Sequence, residues 1–149
     1  MKILFVCHGN ICRSPMAMFI MRDLVEKNAI TDDFVIDSAA TSCEELGNPA
    51  YPPVERLLGR LGIDTSSHRA RRITAADYDY YDLIVGMDRA NMRNMLNFWG
   101  GDRDGKIRMM MSFCGEERDV ADPWYTDDFE KTYKDVLAGC KALLAEYGY

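Results

Sequence analysis

Two side chains near the N-terminus have the types and spacing expected for chemistry on a phosphate group. Cys7 and Arg13 are separated by five residues, and Ser14 and Pro15 follow directly. A cysteine thiolate is a strong nucleophile, and the planar guanidinium group of arginine can bind two phosphate oxygens at once. The hydroxyl of Ser14 can donate to the thiolate, which holds it for attack and eases its later departure. The pattern predicts nucleophilic attack on a bound, phosphate-like anion.

The residues around this loop predict a strand before it and a helix after it. Ile3 to Val6 form a short apolar run, typical of a strand buried on both faces of a parallel sheet. Pro15 suits the first turn of a helix. The loop therefore wraps a helix N-terminus, where free backbone N–H groups and the helix dipole stabilise an anion. Cysteines at such positions have pKa values of roughly 3.5–7.5, so Cys7 is expected to be a nucleophile at neutral pH.

The whole loop is the predicted phosphate-binding site, and its members are His8, Gly9, Asn10, Ile11, Cys12, Arg13 and Ser14. Gly9 allows a tight backbone path. Asn10 tolerates a positive φ and suits a sharp turn, and Ser38 and His68 are candidates to hydrogen-bond to it. Cys12 lies close enough in sequence to Cys7 to trap its oxidised form in a disulfide, which the spacing permits without requiring it.

Composition limits the classes of protein to which the chain can belong. Its 149 residues, 48% hydrophobic and 28% charged, suit one globular domain over 1–149. The net charge of −6 disfavours nucleic acid or an anionic membrane as the main partner. Five cysteines and two histidines show no metal-ligand spacing, so no metal or cofactor is expected. No segment resembles a signal peptide or a membrane span, which favours a reduced, cytoplasmic protein.

Hydrophobic periodicity predicts alternating strands and helices. Strands are predicted at residues 3–6, 34–36, 83–87 and 106–111. Helices are predicted from 15 to about 28, from 52 to 62, from 74 as a short helix, from 88 to 100, and from an N-cap at Asp127 to the C-terminus. This alternation predicts an α/β, three-layer, flavodoxin-like fold, with helices on both faces of a four-stranded parallel sheet of order 2-1-3-4. Ligands of such a sheet bind beyond the carboxyl end of strand 1, where Cys7 lies.

The segment from Val6 to Pro15 resembles the signature of the low-molecular-weight protein tyrosine phosphatases, which carry a Cys, five residues, Arg and Ser near the N-terminus. On sequence alone, Asp122-Pro123 predicts only a turn. The resemblance implies that Asp122 is the general acid of the reaction. Trp124 and Tyr125 would then form an aromatic wall for a phenyl ring, and packing against the last helix is the alternative.

The resemblance also implies supporting roles for three polar residues. Ser38 and His68 would brace Asn10, although His68 without the resemblance is most simply a solvated loop residue. Asp88 would support the network around the site, and on sequence alone it is a helix N-cap. The basic segment 68–72 is interpreted as a solvated face, with attraction of a phosphoprotein as the alternative. Several relatives carry an aromatic residue near 42–45, where this chain has none.

The function expected from these residues and the resemblance is hydrolysis of protein phosphotyrosine without a metal. Cys7 would attack phosphorus and form a cysteinyl phosphate, and Arg13 would hold the phosphate oxygens. Asp122 would protonate the phenolate and then activate water, which releases inorganic phosphate.

Three other functions remain as alternatives. The first is an arginine phosphatase, a branch that tends to carry Thr in place of Ile11. The second is an arsenate reductase, which needs two further cysteines, and none lies between Cys43 and Cys114. The third is a catalytically silent phosphate-binding module. The joint presence of a nucleophile, an arginine, a hydroxyl and an acid argues against the third.

Overall fold

The computed structural model describes residues 1–149 and contains a sheet whose four strands are all parallel. The strands are β1 (Lys2–Cys7), β2 (Val35–Ala40), β3 (Leu83–Gly86) and β4 (Ile107–Met109). Their order in the sheet is β2-β1-β3-β4, so the predicted order 2-1-3-4 is confirmed. In register, Cys7 pairs with Ala40. This pairing brings the carboxyl ends of β1 and β2 to the same edge of the sheet.

Six α-helices connect and cover the strands: α1 (Arg13–Lys27), α2 (Pro52–Arg60), α3 (Ala75–Tyr80), α4 (Arg89–Trp99), α5 (Pro123–Thr126) and α6 (Phe129–Glu146). Short 3-10 helices lie at Thr31–Asp33 and Met110–Cys114. None of the helices combines the length and the apolar character that crossing a bilayer requires.

The sheet is buried between two helical layers, because successive side chains of a strand point to opposite faces. On one face, Ile3 and Phe5 belong to a large apolar cluster with residues of α1, α2 and α6. On the other face, Leu4 and Val6 belong to a smaller cluster with Tyr78 of α3 and Met95 of α4. The predicted three-layer arrangement is therefore confirmed.

Four predicted boundaries are wrong. The second strand was expected over 34–36, but β2 runs from Val35 to Ala40, so Asp37 and Ser38 belong to the strand rather than to a loop. The fourth strand was expected over 106–111, but β4 ends at Met109, and Met110 begins a 3-10 helix. The last helix was expected to be capped by Asp127. Its N-cap is Asp128, whose side chain accepts a hydrogen bond from the backbone N–H of Lys131. The first helix begins at Arg13 rather than at Pro15, so Arg13 and Ser14 are part of its first turn.

Candidate functional site

The loop between β1 and α1 encloses the sulfur of Cys7. Ser14 Oγ lies 3.0 Å from Cys7 Sγ, and the backbone N–H of Asn10 donates to the same sulfur at 3.3 Å. Cys7 is only 3% exposed, at the base of a surface pocket. The sulfur is thus surrounded by hydrogen-bond donors that stabilise a thiolate.

Arg13 joins three parts of the chain at the base of the same pocket. Its Nη1 donates to Asp88 Oδ2 at 2.8 Å and to the carbonyl oxygen of Val120 at 2.8 Å, and its Nη2 donates to Asp122 Oδ2 at 3.3 Å. Burial lowers the pKa of Arg13, but the negative charges of Cys7, Asp122 and Asp88 outweigh this effect and raise its pKa above its ordinary value. The guanidinium therefore keeps its charge although it is only 2% exposed.

Asn10 is the centre of a hydrogen-bond network beneath the loop. Its φ of 58° is left-handed, as its residue type predicts. Its side-chain amide donates to Ser14 Oγ at 2.8 Å and to Ser38 Oγ at 2.9 Å. Its Oδ1 accepts from the backbone N–H of Arg71 at 3.1 Å. The amide nitrogen and the amide oxygen of Asn10 therefore both have hydrogen-bond partners within the protein. These contacts hold the loop in one conformation.

His68 contacts the same asparagine through the backbone. Its Nε2 lies 2.7 Å from the carbonyl oxygen of Asn10, which can only accept, so Nε2 carries the hydrogen. Burial lowers the pKa of His68 below its ordinary 6.5, although the hydrogen bond to Asn10 opposes the shift. His68 is 6% exposed, so the interpretation as a solvated loop residue is wrong.

Asp88 and Asp122 both cap helices and reach Arg13. Asp88 accepts from the backbone N–H of Asn91 at 2.7 Å at the start of α4. Asp122 Oδ1 accepts from the backbone N–H of Trp124 at 3.1 Å at the start of α5. Each carboxylate therefore has one oxygen on a helix N-terminus and the other on the guanidinium group of Arg13, which fixes its orientation.

The pocket is lined by residues from three loops: Cys7, His8, Gly9, Ile11, Cys12, Arg13, Glu44, Glu45, Asp122, Trp124 and Tyr125. Trp124 and Tyr125 are 53% and 84% exposed, so they form part of the rim rather than of the core. Trp124 packs on Tyr51, with ring centroids 5.0 Å apart, and Tyr51 in turn packs on Phe129 of α6. Trp124 and Tyr125 thus both line the pocket, and Trp124 alone is connected to the last helix, indirectly through Tyr51.

Sequence reasoning missed several residues of the site. Glu44 and Glu45 line the pocket, and Tyr51 supports its aromatic side, but none of them was a candidate.

The basic segment 68–72 is not merely a solvated face. Arg71 Nη1 donates to Asp77 at 2.9 Å, and Arg71 Nη2 contacts Asp37 at 3.4 Å, which secures the backbone N–H group bound to Asn10.

Cys12 differs from Cys7 in its surroundings although both are free thiols in the loop. Burial raises the pKa of the Cys12 thiol, and the negative charges of Cys7 and Asp122 raise it further. Cys12 is therefore protonated under ordinary conditions. No group of three or more His, Cys, Asp or Glu side chains is arranged to hold a metal ion.

Comparisons with known proteins agree with this geometry. A family model described as low molecular weight phosphotyrosine protein phosphatase matches residues 2–148. The low molecular weight protein-tyrosine-phosphatase YfkJ of Bacillus subtilis is 36% identical, with 97% of this chain and 94% of that protein covered. The low molecular weight phosphotyrosine protein phosphatase of Mus musculus is 38% identical, with 96% and 93% covered.

Solved structures give the same result. The crystal structure of YfkJ matches with a TM-score of 0.94 and 35% identity, over 98% of this chain and 93% of that one. The Drosophila arginine phosphatase DARP matches with a TM-score of 0.90 and 31% identity, over 100% and 99%. The fold and the site define a cysteine-based phosphatase. The chain belongs to the family of low-molecular-weight phosphotyrosine protein phosphatases, as the sequence signature indicated.

Proposed function

We propose that this protein removes phosphate from phosphotyrosine in proteins through a cysteinyl-phosphate intermediate. The observation that carries the proposal is the convergence of three groups on one pocket. Cys7, the buried guanidinium of Arg13 and the carboxylate of Asp122 all line it, and Arg13 Nη2 is 3.3 Å from Asp122 Oδ2. This set supplies a nucleophile, an anion clamp and a proton donor, which are the groups that phosphate-ester cleavage needs.

In the first step, Cys7 attacks phosphorus in line with the phenolic oxygen. Arg13 and the backbone N–H groups of the loop hold the equatorial oxygens, where negative charge accumulates in the transition state. The attachment of Arg13 to Asp88 and Val120 orients its guanidinium before the substrate binds. Preorganisation of this kind removes the need for the charged group to rearrange during the reaction.

Ser14 assists Cys7 through its hydroxyl hydrogen. Ser14 Oγ already accepts from Asn10, so its own hydrogen is available to donate. The acceptors within reach are Cys7 Sγ at 3.0 Å and the carbonyl oxygen of Ala39 at 3.5 Å, and the sulfur is the nearer. This hydrogen bond stabilises the thiolate both as the nucleophile and as the leaving group of the second step.

Asp122 acts on the leaving oxygen. As a general acid it protonates the phenolate while the P–O bond breaks, and the phosphoryl group moves to Cys7. As a general base it then takes a proton from water, which attacks the cysteinyl phosphate and releases inorganic phosphate and the free thiolate. The second step restores the proton on Asp122, so the residue returns to its starting state.

An arginine phosphatase is the second candidate, because the Drosophila arginine phosphatase shares the fold at 31% identity. The pocket favours phosphotyrosine. Ile11 lines it with a branched apolar side chain that offers no hydrogen bond to a guanidinium group, and Trp124 and Tyr125 add aromatic faces. We therefore infer that phosphotyrosine-containing proteins are the main substrates, and that the reaction takes place in the cytoplasm, where cysteines stay reduced.

The direct test compares turnover of phosphotyrosine, phosphoserine and phosphoarginine peptides of matched sequence. We expect kcat/KM to be highest on phosphotyrosine, and Cys7→Ser to bind phosphate without turnover. Cys114→Ser is the matched control, because it replaces an exposed cysteine outside the pocket and should keep the wild-type rate. A higher kcat/KM on phosphoarginine would favour the second candidate. Substantial hydrolysis by Cys7→Ser would contradict the proposed nucleophile.

A further inference from the structure

The rim of the pocket carries two carboxylates from the loop after β2. Glu44 and Glu45 both line the pocket, and the side chain of Glu44 is 69% exposed. A phosphate dianion gains nothing from a nearby carboxylate, since like charges repel. Glu44 and Glu45 therefore do not help to bind the phosphate group. They act instead on the part of the substrate that surrounds the phosphate group.

Hydrogen bonds hold this acidic rim against the phosphate-binding loop. Glu44 Oε2 lies 2.9 Å from His8 Nε2, and Glu45 Oε2 accepts from Asn48 Nδ2 at 2.6 Å. The backbone N–H and the hydroxyl of Ser42 both donate to the carbonyl oxygen of His8, at 3.1 and 2.8 Å. The carboxylates are thus fixed at the mouth of the pocket, where a bound peptide must pass.

Neither carboxylate forms an ion pair with lysine or arginine, since Glu44 contacts only His8 and Glu45 only Asn48. The other carboxylates of the site differ, because Asp88 and Asp122 both contact Arg13. The charge of Glu45 also reaches into the pocket, where it is one of the groups that raise the pKa of Cys12. The rim therefore presents to an approaching substrate a negative charge that no lysine or arginine neutralises, and Glu44 is paired only with His8, which is charged only when it is protonated.

We propose that Glu44 and Glu45 are specificity-determining residues that select phosphotyrosine segments with lysine or arginine beside the phosphotyrosine. This inference rests on the proposed phosphotyrosine phosphatase function. A basic neighbour gains the attraction of both carboxylates, whereas an acidic neighbour is repelled by them. The exposed rings of Trp124 and Tyr125 support the same choice, because their faces attract cations.

The size of the effect follows from the exposure of the rim. Ion pairs of this exposed kind change equilibrium constants by about two- to fivefold each. Two carboxylates acting on one basic peptide therefore give a preference of roughly tenfold over a peptide with acidic neighbours. The preference must decrease at high salt, because exposed charges are screened within about 10 Å at 0.1 M ionic strength.

The test uses two phosphotyrosine peptides that differ only in whether lysine or glutamate flanks the phosphotyrosine. The measured quantity is the ratio of their kcat/KM values at low and high salt, for the wild-type protein and for Glu44→Gln/Glu45→Gln. Glutamine keeps the size and hydrogen bonding of each side chain and removes its charge. Glu26→Gln is the matched control, because it removes an exposed carboxylate near the far end of α1, about 20 Å along that helix from Arg13.

We expect the wild-type protein and Glu26→Gln to prefer the lysine peptide roughly tenfold at low salt. The double variant should lose most of this preference, and high salt should reduce it in the wild-type protein. An equal rate on both peptides, or a preference that survives in the double variant, would overturn the inference while leaving the proposed function intact. Failure of the wild-type protein to hydrolyse either peptide or phenyl phosphate would instead contradict the proposed function.

Discussion

The side-chain amide of Asn10 donates a hydrogen bond to Ser14 Oγ at 2.8 Å, directly beneath the sulfur of Cys7. This contact depends on the left-handed conformation of Asn10, whose φ is 58°. A residue with a long or branched side chain would be strained there, and glycine would lack the amide group. Asparagine satisfies both requirements, so it connects the backbone geometry of the loop with the orientation of the hydroxyl that serves Cys7.

Replacing Asn10 separates these two contributions. Asn10→Ala and Asn10→Gly both remove the hydrogen bonds to Ser14 and Ser38, and each buried group left without a partner costs about 1–3 kcal/mol. Only alanine is also strained at positive φ, so Asn10→Ala should be less stable than Asn10→Gly by about 1 kcal/mol. Urea unfolding measures the two free energies. Equal stability, or a more stable alanine variant, would contradict the strain argument.

The lowered pKa of His68 predicts how the free energy of unfolding depends on pH. Because its pKa is lowered from 6.5 in the folded protein, the unfolded chain binds more protons below that pH. The free energy of unfolding should therefore fall as the pH decreases below about 6.5, by at most about 1.4 kcal/mol per pH unit for this one group. The decrease should be smaller in His68→Gln and should persist in His8→Gln, which removes the exposed histidine. If His68→Gln leaves the pH dependence of the free energy of unfolding unchanged, the assignment of this dependence to His68 is contradicted.

Asp122 is predicted to matter most for poor leaving groups. Asp122→Asn cannot protonate the departing oxygen, and the loss of such assistance lowers kcat by about 10²–10⁴ on aryl phosphates with basic leaving groups. The loss should shrink as the leaving group improves, while substrate binding survives. Asp127→Asn is the control, since asparagine tolerates its φ of 57° and the side chain is exposed. Near-normal turnover of phosphotyrosine by Asp122→Asn would contradict this role and would leave Asp122 only as the N-cap of α5.

Oxidation is predicted to join Cys7 to Cys12. Thiolates oxidise before thiols, and burial keeps Cys12 protonated by raising its pKa. Peroxide should therefore convert Cys7 to a sulfenic acid, which the Cys12 thiol then traps as a disulfide with loss of water. Dithiothreitol should restore activity in the wild-type protein, and Cys12→Ser should be inactivated irreversibly. Mass spectrometry that finds no such link in oxidised wild-type protein would contradict this prediction.

The order of the strands could be predicted from the sequence because several local sequence patterns indicated the same arrangement. The apolar run before Cys7, the helix that Asp88 caps and the alternation of elements all indicated one sheet order. The residue at which β4 ends could not be predicted from the sequence. Three consecutive methionines, 109–111, have no periodicity that separates a strand from a 3-10 turn.

Adjacent residues of one type caused a second error. Asp127 and Asp128 are equally good N-caps by residue type. The structure uses Asp127 to end α5, with a left-handed φ of 57°, and Asp128 to begin α6. Only the presence of the short helix α5 distinguishes them, and its four residues carry too little periodicity for detection.

The candidate site divides in the same way. The residues of the loop 7–14 are close in sequence, so their spacing alone brings them together. Glu44, Tyr51 and Arg71 reach the site through the tertiary path of the loops after β2 and α2, which no local pattern describes. Their contribution becomes visible only when those loops are folded against the loop 7–14.

The most direct test of the central claim is to trap the phosphorylated enzyme. The protein is mixed with a phosphotyrosine peptide, quenched with acid within the first turnovers, digested and analysed by mass spectrometry. We predict a phosphate adduct on Cys7 that is absent from Cys7→Ser and accumulates further in Asp122→Asn when the leaving group is good, because hydrolysis then lacks its general base. Turnover with the adduct on another residue, or with no adduct under conditions where hydrolysis limits the rate, would contradict the cysteinyl-phosphate mechanism.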